Sequence, residues 1–204
     1  MIAPKPASLS HVDAASVPVI AVTAWQALFD HAHMKRGQTV LIHGAAGSVG
    51  AFAVQLAHQS GIRVLATCSE TDATYVQSLG ADQVFVREGP PFEQSAHEVD
   101  GVLDLVGGDV QARSFATLRR GGLLISAVSQ PDQEMAAAHG VRATFFLVNV
   151  TTERLEMLAQ ILEAGALSPL VGHILPLAQA GVAHEMLEGI RPRSRGKIVL
   201  RVAD

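Results

Sequence analysis

The run Gly44-Ala45-Ala46-Gly47-Ser48-Val49-Gly50 has the residue types and spacing to cradle a pyrophosphate. It follows an apolar segment, Val40-Leu41-Ile42-His43, that reads as a buried strand, and it opens Val49–Gln59, which reads as a helix. In that setting Gly47 lets the backbone approach a phosphate that a side chain would displace, and Gly50 lets the helix pack tightly on the strand. The amides of Ser48 and Val49 then point at the phosphates, with the helix dipole behind them. The pattern departs from G-x-G-x-x-G, because Ala45 stands at the first glycine. In a shifted frame it is G-x-x-G-x-x-G, from Gly44 through Gly47 to Gly50. A ligand-free tight turn is the bland alternative, against which three glycines in a strand–turn–helix frame argue.

A second chemistry is written over the same residues. Ala46-Gly47-Ser48-Val49-Gly50 is one residue away from the G-x-S-x-G elbow of serine hydrolases. On that reading Ser48 is a nucleophile, with Asp104 as the acid and His173 or His184 as the base, and a Ser48→Ala change abolishes ester hydrolysis. None of the downstream residues has a motif of its own. Further along comes Thr67-Cys68-Ser69-Glu70-Thr71-Asp72. An acidic residue at the tip of the second strand would bind the ribose hydroxyls of NAD, but this tip is small and polar and Glu70 arrives late. Ser69 suits a 2′-phosphate instead, with Arg87 supplying charge, so the lean is to NADP, with NAD left open. A solvated surface arginine is the equally weighted alternative for Arg87. Cys68 reads as a small buried residue. No metal is expected, because His31 and His33 project from different faces of a helix and the other histidines are scattered.

These residues need a scaffold, and the rest of the chain supplies one. The 204 residues are 49% hydrophobic and 17% charged with a net charge of −4, a globular composition with no electrostatic reason to expect nucleic acid. A single cysteine excludes an intrachain disulfide, and there is neither a signal-peptide core nor a membrane span, so the expectation is a soluble cytoplasmic protein. Residues 1–22, with Pro4, Pro6 and Pro18, read as an extended lead-in. Thr23–His33 reads as a helix. Strands are expected at 40–43, 63–67, 83–86, 101–106, 122–127 and 143–148. Helices are expected at 49–59, 73–79, 110–118 and 151–163, the last capped by Thr151 or Thr152. Such alternation predicts an α/β fold: a Rossmann-like, doubly wound parallel sheet with helices on both faces. Residues 173–177, 178–188 and 197–202 read as a strand, a helix and a strand added after the sheet.

Several blocks in order carry a resemblance. Val22-Thr23-Ala24-Trp25-Gln26-Ala27-Leu28, the glycine turn, Leu79-Gly80-Ala81-Asp82, Leu103-Asp104-Leu105-Val106-Gly107-Gly108, Arg120-Gly121-Gly122 and Arg195-Gly196-Lys197 resemble the cofactor half of the medium-chain dehydrogenases/reductases. Within that superfamily they are most similar to the zinc-free, NADPH-dependent quinone oxidoreductase branch and its reticulon-interacting members. The resemblance implies that Thr23 sits near the nicotinamide and that Ala46, Gly47, Ser48 and Val49 wrap the pyrophosphate. It implies that Ser69 and Arg87 hold the adenosine phosphate and that Ala127, Phe146 and Val148 line the nicotinamide pocket. Arg193, Ser194 and Arg195 are implied to close over the cofactor. Relatives often have glycine at Ser48 and tyrosine at Arg87.

The resemblance also divides the chain into residues 1–22, a lead-in remnant of a missing GroES-like domain; residues 23–169, the NAD(P)-binding domain; and residues 170–204, which complete the catalytic domain elsewhere in the family. An excised piece, a truncated gene product and one partner of a split enzyme all fit that expectation. The activity implied is hydride transfer from the nicotinamide to a small-molecule quinone or activated enone, with no catalytic residue identified. The rival is a non-enzymatic nucleotide-binding or interaction module, expected to show an apolar face where the absent domain would lie. A homodimer, or pairing with a separate catalytic domain, is the expected assembly.

Overall fold

Ser10 and Pro18 start the first two helices, α1 (His11–Ala15) and α2 (Pro18–Trp25), within the stretch whose prolines predict extended chain. Ser10 Oγ accepts the Asp13 N–H at 3.0 Å, which caps α1. Proline at the first helical position sacrifices only an N–H that would have no partner there, so Pro18 begins a helix instead of preventing one. The structure, a computed structural model, describes residues 2–202. They form two compact units, one contiguous, Thr23–Asn149, and one assembled from both ends of the chain, up to Val22 and from Val150 onward.

In the contiguous unit α2 passes into a π-helical turn, Gln26–His31. Then come β1 (Thr39–His43), α3 (Ser48–Gln59), β2 (Arg63–Cys68), α4 (Ala73–Ser78), β3 (Gln83–Val86), β4 (Val99–Asp104), α5 (Gly108–Ser114), β5 (Leu118–Ser126), α6 (Gln133–His139) and β6 (Arg142–Phe145). The strands form one parallel sheet in the order β3-β2-β1-β4-β5-β6. This is the doubly wound Rossmann-like α/β arrangement. The order reverses between β1 and β4, and the right-handed crossovers general to parallel sheets then put the helices of the two half-sheets on opposite faces.

Leu65, Leu41, Val102, Leu124 and Ala143 lie in one register row across five strands and pack with Phe92, Phe115 and Leu118. Their neighbours on the opposite face, among them Ile42, Ala66, Leu103 and Ile125, are buried as well. Burial on both faces is why these strands are apolar runs rather than alternating ones. The fourth strand ends at Asp104, two residues before the expected limit, because its carboxylate accepts the N–H groups of Val106 and Gly107 and turns the chain. The helix α6 lies where none is expected, between an Asp132 cap and Gly140 at φ +66.

The unit built from the chain ends contains α1, α7 (Thr152–Glu163), β7 (Val171–Pro176), α8 (Ala180–Leu187) and β8 (Lys197–Arg201). Thr151 caps α7 through its hydroxyl, and Leu158 and Leu162 are that helix's buried residues. Ser8 ties the lead-in to α7, its N–H and its hydroxyl both donating to Glu163 Oε2 at 3.1 and 3.0 Å. β7 and β8 pair in parallel, with α8 in the connection between them. No helix among the described residues is long and apolar enough to cross a membrane.

Candidate functional site

The glycine turn is built by local geometry. Gly44 adopts φ +69, a left-handed conformation, and its carbonyl accepts the Gly47 N–H at 3.0 Å. Gly47 caps α3 in extended conformation, and its carbonyl takes the first helical hydrogen bond from Ala51. The amides of Ser48, Val49 and Gly50 therefore have no acceptor inside the helix, an arrangement suited to an anion. No acidic residue occupies that first turn. A Cβ at Gly50 would stand 2.3 Å from Gly44 O and 2.7 Å from Ala45 Cα, so the fold itself demands glycine there. A Cβ at Gly47 would meet one protein atom, Gly44 O at 3.2 Å. Beyond that one tight contact, the position faces open space in front of the turn.

That space is a cavity of about 610 Å³, lined by Gly47, Ser69, Arg87, Phe92, Val110 and Arg113 among others. It opens at the C-terminal ends of β1 to β4, beside the reversal of strand order, where open α/β sheets bind ligands. At its far end the Ser69 hydroxyl donates to Asp72 Oδ2 at 2.7 Å. Arg87 Nη2 donates to Glu88 Oε1, and Glu70 N–H to Glu88 Oε2, each at 3.0 Å. The Glu88 carboxyl is held below its ordinary range by its own backbone N–H first, then by Arg87 and Glu70.

The cavity's inner wall carries a histidine that the spacing arguments pass over. His43, fully buried at the end of β1, lies between Thr67 Oγ1, 2.9 Å from Nδ1, and Ser114 Oγ, 2.8 Å from Nε2. Because the Ser114 hydroxyl donates to Val110 O, the hydrogen-bond pattern assigns the ring proton to Nε2 and makes Nδ1 the acceptor. Phe92 packs edge-on against the imidazole at 4.7 Å, and the Arg113 guanidinium lies 4.9 Å from the centre of the Phe92 ring. Burial pushes the His43 pKa down to about 4, with Asp104 opposing and Arg113 assisting. Between the unfolded value of 6.5 and about 4 the unfolded chain takes up a proton that the folded chain refuses. This contribution to stability is complete above pH 6.5 and is lost as pH falls through that window, roughly 3 kcal/mol in all. Denaturant titrations at pH 7 and pH 4.5 should show the loss, and His43→Gln should flatten that pH dependence.

The other expected contacts cluster at the ends of β5 and β6. Ala127 N–H donates to Asp104 O at 3.2 Å, and Phe146 N–H to Ser126 O at 3.1 Å. Phe146 packs against the His31 ring at 4.7 Å. Gln26, in the π-helical turn, accepts the Asn149 N–H at 2.9 Å and so tethers the segment that carries Phe146 and Val148. Such turns recur at functional sites, the one signal that could have singled out Gln26. Thr23 is buried on α2. Thr23, Gly44–Gly50, Ser69, Arg87, Ala127, Phe146 and Val148 all belong to the contiguous unit. Arg193, Ser194 and Arg195 belong to the other, in the connection before β8, where Ser194 N–H donates to His173 Nε2 at 2.7 Å.

Asp104 is a fully buried brace. Oδ1 accepts the N–H groups of Val106 and Gly107 at 3.0 and 2.8 Å, and Oδ2 accepts Gln111 Nε2 and the Ser126 hydroxyl, both at 2.8 Å. A carboxylate so occupied, with His173 engaged by Ser194, gives no support to a Ser48 hydrolase. Among the described residues no three His, Cys, Asp or Glu side chains are grouped to hold a metal ion.

A family model described as zinc-binding dehydrogenase matches residues 79–200, more than half of the chain. The probable zinc-binding oxidoreductase, mitochondrial, of Arthroderma benhamiae is 32% identical over an alignment covering 98% of this chain and 65% of that protein. The human NAD(P)H oxidoreductase RTN4IP1, mitochondrial, is 31% identical, covering 97% of this chain and 57% of its own length. The solved quinone oxidoreductase of Coxiella burnetii superposes with a TM-score of 0.89 at 36% identity, covering 98% of this chain and 63% of that one. The chain thus spans less than two thirds of the length of each.

Proposed function

Since the chain belongs to the zinc-binding dehydrogenase family, within the medium-chain dehydrogenase/reductase superfamily of oxidoreductases, we propose that it binds NAD(P)H for reduction of a quinone or an activated enone. The observation that carries this reading is the union of the glycine turn with the cavity at the sheet's reversal. A nicotinamide cofactor bound there supplies a hydride. The amides of Ser48 and Val49, the backbone of Ala46 and the bare face of Gly47 hold the pyrophosphate, while Gly44 and Gly50 give the turn and α3 the shape that presents them. Ser69 and Arg87 meet the adenosine end and favour NADPH over NADH, while Thr23, Ala127, Phe146 and Val148 orient the nicotinamide.

The protein's share is position and exclusion of water, with no side chain assigned as acid or base. The described residues offer no zinc ligand set. The 36% identity with the quinone oxidoreductase of Coxiella burnetii supports a quinone as the acceptor. β6, the last strand of the sheet, leaves an edge on which a second copy can pair.

The test is a titration of the chain with NADPH and with NADH, followed by intrinsic fluorescence and thermal shift. Saturable binding, tighter for NADPH and accompanied by turnover of a quinone, is the expected result. Binding without turnover would favour the non-enzymatic module, and binding of neither nucleotide would overturn the proposal.

A further inference from the structure

The polar groups that a 2′-phosphate would need at the far end of the cavity are already taken by carboxylates of this chain. The Ser69 hydroxyl is given to Asp72. The Glu70 N–H, at the tip of β2, and the Arg87 guanidinium, at the end of β3, are both given to Glu88. Glu88 thus presents one oxygen to a backbone donor and the other to a guanidinium, as two phosphate oxygens would. From this juxtaposition, and resting on the nucleotide reading above, the geometry points to Glu88 as an internal stand-in for the 2′-phosphate. It is a specificity-determining residue that competes with NADPH and leaves NADH unopposed.

Three features fit that role. Glu88 follows Arg87 directly, and Arg87 and Gly89 on either side of it both line the cavity, so the carboxylate sits at the rim without filling it. Like any exposed carboxylate it is ionised at neutral pH, so it repels an incoming phosphate as well as occupying that phosphate's partners. The pair is exposed, with side-chain exposures of 79% for Arg87 and 44% for Glu88, and exposed pairs exchange partners easily. Glu88 therefore attenuates the preference for NADPH without abolishing it.

The experiment isolates the phosphate by calorimetric titration with 2′,5′-ADP and with 5′-AMP, on the native chain, on Glu88→Gln and on Glu88→Gln combined with Arg87→Gln. Glu88→Gln should tighten 2′,5′-ADP by about 3- to 10-fold and leave 5′-AMP within about twofold. Added salt should erode the gain, and the second substitution should cancel it. Equal changes for both probes, or none for either, would overturn the role of Glu88 while leaving the nucleotide site standing. If NADPH, NADH and both probes fail to bind any of the three proteins, the nucleotide reading falls and takes this inference with it.

Discussion

Gly50→Ala should lower stability by roughly 3 kcal/mol or more and abolish nucleotide binding. The alanine methyl would sit 2.3 Å from Gly44 O, 2.7 Å from Ala45 Cα and 2.9 Å from Ala45 C. All three are backbone atoms, so no rotamer change relieves the overlap, and α3 must move away from the turn. Such a shift carries the amides of Ser48 and Val49 with it. Gly47→Ala is the control, because its methyl meets only Gly44 O, at 3.2 Å. It should cost less than about 1 kcal/mol yet still weaken binding, since the new methyl points into the ligand's space. Urea unfolding and NADPH titration of both variants separate the two effects. A Gly50→Ala protein as stable as the native chain would refute the packing account.

Asp104→Ala should be comparably damaging, by about 4 kcal/mol. It removes an acceptor from four donors at once: the N–H groups of Val106 and Gly107, the Ser126 hydroxyl, and Gln111 Nε2, which keeps its contacts to Ser129. Asp104→Asn keeps the shape but offers one acceptor oxygen, so its amide group must face donors in either orientation. A loss of about 2 kcal/mol is expected for it. The charge matters as well, because Asp104 holds the His43 pKa up against burial. In Asp104→Asn the imidazole should titrate at a still lower pH, which proton NMR of the ring would register. A native-like melting temperature in Asp104→Ala would show that the four donors find other partners.

What could be read from sequence, and what could not, divides by the range of the interactions. β1 and α3 were legible because a buried parallel strand is an apolar run and a strand-to-helix turn is specified by residues a few positions apart. The seven residues of α6 are too short to establish a helical period, although Asp132 and Gly140 at its two ends are ordinary start and stop signals. Pro18 was misleading because proline obstructs a helix interior but suits its first turn. In the site, the turn's conformation follows from neighbouring residues, whereas the Asp104 brace depends on Asp104 pairing in register with Ser126 on β5. His43 looks like any other residue of an apolar strand until Thr67 and Ser114 are brought to its two nitrogens. Glu88 acquires meaning only when β2 and β3 lie side by side and Glu70 meets it.

The hydrogen bond from Asn149 to Gln26 joins the two places where the chain passes between units. Once the contiguous unit has folded it acts as a clasp, and the polymer between Ser8 and Glu163, 155 positions apart in sequence, shortens to a few tens of effective links. Jacobson–Stockmayer scaling makes that contraction worth about 1 kcal/mol of loop-closure entropy. A folded middle thus lowers the entropic cost of bringing the two tails of the chain together.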